Sequence, residues 1–194
     1  MKKLTIHFIS IFCLVIILQS CKSSQLSTNK KGSKTYHANG NTKYKYSFEN
    51  GVRNGITKEF DENNNLIQEW YYVDGKLEGI TTEYYTNSKK IKYEWLYKND
   101  ILDGVTKEYH FDGKVTHWLY KSNLLISGES FYPNGSLEAE YNFKNGIREG
   151  ISKAYYETGE LKIVWNMEKG LLEGESKEYY KTGEIFRIFL YKNN

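Results

Sequence analysis

A segment of about 24 residues repeats along the chain, and a repeat of that length dictates architecture before any single residue is weighed. It can be read by eye: Gly150-Ile-Ser-Lys-Ala-Tyr-Tyr-Glu-Thr-Gly-Glu-Leu returns as Gly174-Glu-Ser-Lys-Glu-Tyr-Tyr-Lys-Thr-Gly-Glu-Ile. The glycines that open successive units are Gly55, Gly79, Gly104, Gly128, Gly150 and Gly174, at spacings of 24, 25, 24, 22 and 24 residues. A degenerate first unit reaches back to Lys31, so seven units are expected. Units of such an array contact only their neighbours, and function resides in exposed side chains rather than in the shared backbone.

The second half of each unit alternates with period two. Leu161, Ile163, Trp165 and Met167 fall on one face of an extended chain, with Lys162, Val164, Asn166 and Glu168 on the other. The same column runs through Tyr44, Tyr46 and Phe48, through Trp70 and Tyr72, through Tyr93, Trp95 and Tyr97, and through Tyr141 and Phe143. Such an aromatic ladder suits cross-strand pairing, and on this phase Trp95 lies between Trp70 and Leu119 of the neighbouring units. The first half, Gly-x-Ser/Thr-Lys-Glu-Tyr-Tyr, is the shorter partner strand of a hairpin. Asp112-Gly113 and Asn134-Gly135 within hairpins, and Asn50-Gly51, Asp74-Gly75 and Asn145-Gly146 between units, supply the positive φ of tight turns. The unit that opens at Gly128 is short because two residues are missing between Gly128 and Gly135, where the only proline, Pro133, harms no ladder. No stripe of helical period occurs, and the expected class is all-β.

The pattern Tyr-Tyr-x-x-Gly-x-Leu, an aromatic strand, then Asn-Gly-x-x-x-Gly resembles the MORN-variant repeat, related to the membrane occupation and recognition nexus family, whose bacterial members are often labelled antitoxins. The resemblance covers residues 32–194, with departures at Asn87-Ser88-Lys89 and Ser122-Asn123-Leu124. It implies an elongated single-layer antiparallel sheet of stacked hairpins. Fourteen strands at ~4.8 Å would run on the order of 65 Å.

The start of the chain constrains location. Lys2-Lys3 precedes an apolar run from Leu4 to Leu18, too short to span a bilayer comfortably, and then Leu18-Gln19-Ser20-Cys21. These four residues resemble the bacterial lipobox, with Gln19 its one unusual choice. The resemblance implies cleavage between Ser20 and Cys21, lipid on the Cys21 thiol and acylation of the new amino terminus, an anchor of two or three chains. The expected organisation is residues 1–20 signal peptide, 21–34 lipid anchor and flexible tether, and 35–194 MORN-like repeat domain. Loss of residues 1–20 leaves 25 basic against 24 acidic side chains and Cys21 as the single cysteine, which excludes disulfides. Near-neutral balance argues against nucleic acid as a partner. Lys22 after the cysteine, by resemblance to enteric sorting rules, favours the outer membrane, periplasmic face, of a Gram-negative cell.

Chemistry is hard to find in the repeats. His37 lies in the first unit, and His110 and His117 share the unit opened by Gly104; a metal set of His110, His117 and Asp112 is conceivable, but ordinary strand and turn roles fit better. Glu59, Glu83, Glu108 and Glu178 recur at one position, and repetition gives similar environments where a catalytic pair needs different ones. No catalytic residue, metal or cofactor is expected. The face opposite the ladder is polar at Lys92, Glu94 and Lys98 and apolar at Trp118, Tyr120, Phe186, Ile188 and Leu190, which form the candidate binding surface. The last strand, Glu184 to Tyr191, is apolar on both faces and is expected to be covered, by a symmetric partner copy or by a strand from the envelope protein it binds. The reading is a lipid-anchored, non-enzymatic protein-binding or scaffolding module; the alternatives are a carbohydrate- or lipid-headgroup-binding module, and an antitoxin or immunity protein against an envelope-acting toxin.

Overall fold

A computed structural model describes residues 32–192, and every regular element among them is a strand. In chain order these are β1 (Gly32–Tyr36), β2 (Thr42–Glu49), β3 (Val52–Arg53), β4 (Gly55–Phe60), β5 (Leu66–Val73), β6 (Lys76–Leu77), β7 (Gly79–Tyr84), β8 (Ile91–Lys98), β9 (Ile101–Leu102) and β10 (Gly104–Tyr109). There follow β11 (Val115–Lys121), β12 (Leu124–Phe131), β13 (Leu137–Lys144), β14 (Ile147–Arg148), β15 (Gly150–Tyr155), β16 (Leu161–Glu168), β17 (Leu171–Leu172), β18 (Gly174–Tyr179) and β19 (Ile185–Tyr191). The long strands pair in chain order as one antiparallel meander, β1-β2-β4-β5-β7-β8-β10-β11-β12-β13-β15-β16-β18-β19. The expected fourteen strands are therefore present. The two-residue strands are small flaps, each folded back on the end of the long strand before it. Gly32, Ser33 and Lys34, expected from the sequence to belong to the tether, pair with Ser47, Tyr46 and Lys45 and are part of the sheet among the described residues.

Two kinds of turn alternate along the edges. At the inter-unit edge both central residues have positive φ, as at Asn50 (48°) and Gly51 (80°), or Ser122 (50°) and Asn123 (67°). Ser122-Asn123, a departure from Asn-Gly, thus makes the same turn. Its left-handed strain is offset by a contact glycine cannot make: Asn123 Oδ1 accepts the Leu102 N–H at 2.8 Å while Asn123 N donates to Leu102 O at 2.9 Å. Asp100 does the same for Leu77.

At the other edge, hairpins such as Tyr132–Ser136 close with the N–H of the first residue on the carbonyl of the fifth and the fourth at positive φ. A register shift follows just inside most of them. The hairpin of β10 and β11 lacks that shift: Thr106 opposes Trp118 and Tyr109 opposes Val115 without a break. One residue fewer turns the strand over. Trp118, not Leu119, therefore joins Trp70 and Trp95 in the aromatic column, facing Thr106 as they face Thr57 and Thr81.

The phase is restored in β12, where Ile126 is the extra residue between Leu125 and Ser127. Gly128 consequently does not open a unit. It lies opposite Trp118 on one side and Tyr141 on the other, in the place that Ser152 fills against Trp165. The spacing from Gly128 to Gly150 is short because Gly128 stands two residues into its unit, as Ser152 stands two residues after Gly150, and the Pro133 turn is of full length. A Cβ on Gly128 would stand 2.5 Å from Trp118 Cε3 and Cζ3. Gly128→Ala is therefore expected to lower stability in urea unfolding by about 1–3 kcal/mol. The loss should shrink when Trp118 is also replaced by Ala; two fully additive losses would show that the ring is not the obstacle.

Candidate binding surfaces

The sheet has one layer, so each face is half of the surface and must be asked separately what its side chains do. The aromatic face is occupied by the fold itself. Its deepest residues are Thr57, Thr81, Thr106, Ser152 and Ser176, at most 2% exposed, each opposite Trp70, Trp95, Trp118, Trp165 or Phe189. The rings are held in place as well as packed. Trp118 stacks on Tyr141 at 6.0 Å, and Arg148 and Arg53 from the flaps lie over Tyr141 (4.4 Å) and Tyr46 (4.9 Å). Glu108 accepts from Tyr93 Oη at 2.7 Å and from Trp118 Nε1 at 2.9 Å. Glu59 accepts from Tyr44, Glu83 pairs with Lys92, and Glu178 pairs with Arg187. The four recurring glutamates are thus structural.

The opposite face carries a second ladder of charge. Glu69 takes Lys58 and Tyr84, Glu94 takes Lys107 and Tyr109, and Glu140 takes Lys153 and Tyr155, with Tyr Oη to carboxylate distances of 2.9, 2.7 and 3.0 Å. Beside this ladder, towards the inter-unit edge, runs an aliphatic row. Ile56, Ile80, Val105 and Ile151 each follow an opening glycine and are 48, 54, 43 and 54% exposed. They oppose Tyr71, Leu96, Leu119 and Asn166. Neither the turns nor the ladders use these four side chains. The signal in the sequence was the residue after each opening glycine, which a search for aromatic residues passes over.

The five surface residues chosen from the sequence are not brought together. Trp118 and Tyr120 belong to the aromatic face, Tyr120 opposite Gly104 as Tyr97 is opposite Gly79, because β11 is turned over. Phe186 is the extra residue of the β19 register shift and packs edge-on against Tyr180 at 4.7 Å. Ile188 and Leu190 lie on the charged face opposite Lys177 and Glu175, with Leu190 81% exposed. Ser20 and Cys21 are outside the described residues. His37 bonds the Phe60 carbonyl at 2.8 Å, His110 the Thr116 hydroxyl at 2.9 Å, and His117 packs on Phe131. Among the described residues no three His, Cys, Asp or Glu side chains are grouped to hold a metal ion.

Five segments, residues 33–50, 53–74, 127–145, 148–169 and 172–193, match the MORN repeat variant, and together they cover a little over half of the chain. The chain belongs to the MORN repeat variant family. Such repeats are binding modules for proteins and lipids. The unmatched stretch between residues 74 and 127 has the same strands and turns, and contains Asn99-Asp100, Ser122-Asn123 and the hairpin without a register shift. No curated protein matches the chain in sequence. Among solved structures, S. aureus TarM and a TarM mutant in complex with fondaparinux, alpha-GlcNAc-glycerol and UDP align at 13% identity over 81% of this chain, with a TM-score of 0.31. The chain spans 21% of the length of those chains, and a likeness this slight carries no argument.

The Tyr–Glu bonds give the sheet a pH limit. Burial first, and then the bond to the carboxylate, pushes the Tyr84 and Tyr109 phenols up from 10 to about 12, and pushes Tyr93 and Tyr44 higher still. In each case the folded state favours the protonated phenol. That contribution is complete below the unfolded value of 10 and is lost as pH rises through the folded value of about 12. Thermal midpoints should fall across this window, with the phenolate absorbance of these tyrosines appearing last. Uniform titration of all tyrosines near pH 10 in a chain that remains folded would contradict the bonds.

Proposed function

We propose that this protein is a lipid-anchored envelope protein whose repeat sheet is a non-enzymatic module for binding another envelope protein. The observation that carries the reading is the aliphatic row Ile56, Ile80, Val105 and Ile151. These are large apolar side chains about half exposed, recurring at one place in four units and unused by the fold. The two-strand step sets Ile56, Ile80 and Val105 ~10 Å from one another, with Ile151 a further ~20 Å along beyond Ser127, a spacing that suits many weak, similar contacts with an extended protein surface. The flanking Lys–Glu pairs supply the polar rim such an interface needs.

Location rests on Leu18-Gln19-Ser20-Cys21 and on the Lys at position 22, which support a lipid on Cys21 and the periplasmic face of the outer membrane. A carbohydrate site would draw on the Trp column. Those rings are half-buried over Thr and Ser, Trp118 donates to Glu108, and Arg53 and Arg148 cover the neighbouring Tyr46 and Tyr141, which favours the protein partner. An immunity role would be one case of the same reading, with an envelope-acting toxin as the bound protein.

Two replacements test the parts separately. Cys21→Ser should abolish palmitate labelling and leave unprocessed precursor; normal labelling ends the lipoprotein part alone. Ile80→Lys with Val105→Lys should leave the melting temperature almost unchanged, since exposed changes cost about 0.5 kcal/mol or less. It should also remove the protein that cross-links to the wild-type chain in cells. A partner retained by this variant moves the interface elsewhere.

A further inference from the structure

Among the described residues β1 pairs with β2 alone and β19 with β18 alone, so the sheet offers one free backbone edge at each end. The two edges are complementary halves of a junction that the chain builds repeatedly within itself. We propose that β19 of one copy pairs antiparallel with β1 of a second copy, continuing the sheet from chain to chain.

The junction between β16 and β18 gives the register. There Ile163 opposes Glu178 and Val164 opposes Lys177. Arg187 stands in its hairpin where Ile163 stands, each the last pair before the register shift, and Thr35 corresponds to Glu178 in the same way. Arg187 therefore meets Thr35 of the second copy, and Ile188 meets its Lys34. The pair Ile188 and Lys34 repeats the chemistry of Val164 and Lys177, an aliphatic side chain beside a lysine stem.

An unused hydroxyl points to the same occupant. The first residue of a hairpin turn reaches the carbonyl that ends the first strand of the next unit: His37 to Phe60, Tyr85 to Tyr109, Tyr132 to Tyr155 and Tyr156 to Tyr179, at 2.6–2.9 Å. Tyr180 holds this place in the last hairpin and is 49% exposed, and among the described residues only the Phe186 ring packs against it. The carbonyl it would find in a continued sheet is that of Tyr36, which precedes His37 as Tyr179 precedes Tyr180. A second copy's β1 brings that carbonyl to Tyr180, whereas a symmetric β19 pair does not. The symmetric pair would also have to accommodate the Phe186 register shift twice within one seven-residue strand. A symmetric β1 pair centred on its middle residue would set Lys34 against the second copy's Lys34. Head-to-tail contact of this kind yields a ring where the rotation between copies closes and an open array where it does not. It rests on the repeat geometry and is independent of the anchor and of the partner proposed for the aliphatic row.

Full-length chains carrying Ile188→Cys or Lys34→Cys, each with its own tag, test the pairing under mild oxidation in detergent. Both positions are exposed, and the wild-type chain with Cys13 and Cys21 is the blank. The expected result is a disulfide-linked dimer holding one of each tag from the mixture, and monomer from either variant by itself. Ile188→Cys chains that cross-link to one another would establish the symmetric pair and overturn the proposal. Monomer from the mixture as well, with wild-type protein sedimenting as single chains, would overturn it equally.

Discussion

A tryptophan laid across a small hydroxyl residue on the neighbouring strand is the contact on which the rest of this sheet depends. A single layer has no second sheet or helix against which to bury apolar area, so burial must be made sideways, between strands. Trp70, Trp95, Trp118 and Trp165 do this by covering Thr57, Thr81, Thr106 and Ser152. The cost is visible: the hydroxyls of Thr57, Thr106, Ser152 and Ser176 are buried with no partner among the described residues, each a loss of ~1–3 kcal/mol relative to a bonded group. Size, rather than the hydroxyl, is what the ring demands. Gly128 holds the corresponding place under Trp118, and there even a methyl group would meet the ring.

Lateral burial by itself would leave each hairpin free to rotate against the next. Bonds that skip from unit to unit prevent it. The flap-edge turns stack through Gly75 N to Arg53 O, Asp100 N to Leu77 O and Asn123 N to Leu102 O, while the hairpin-edge turns are tied by Tyr85, Tyr132 and Tyr156. The two edges are thereby fastened along the length of the array, and the two Tyr–Glu ladders fasten the faces between them. Stability in such a structure is close to a sum of units and junctions. A junction is therefore a transferable object, which is why its halves at β1 and β19, unpaired among the described residues, are informative.

The period, the alternation and the Asn-Gly turns made the meander and its fourteen long strands legible from residues alone. The flaps were not, because two residues between a glycine turn and another glycine carry no periodic signal. The aromatic column was legible except at Trp118. Counting from Gly113 places Leu119 in the column, and a single missing residue at a register shift reverses every side chain after it. The compensating residue, Ile126, lies on the next strand, so the error corrected itself by Gly128 while concealing that Gly128 had changed its place. The five candidate residues do not share a face for this reason: Trp118 and Tyr120 lie on the aromatic face, and Phe186 occupies the shift itself.

The two faces differ in what selection can act upon. On the aromatic face nearly every large side chain is committed, Trp118 to Gly128 and Glu108, Tyr44 to Glu59, Arg148 to Tyr141, so a change made for a ligand would be felt first as lost packing. On the other face the Lys–Glu–Tyr sets hold the strands, and the residues after the opening glycines are free of that duty. They are aliphatic at Ile56, Ile80, Val105 and Ile151 and charged at Glu175, so the row can vary unit by unit without disturbing the sheet. A repeat array that fastens itself with one set of positions and leaves another uncommitted can change its partner by substitutions costing the fold little, and that division is what supports the aliphatic row as the proposed recognition surface.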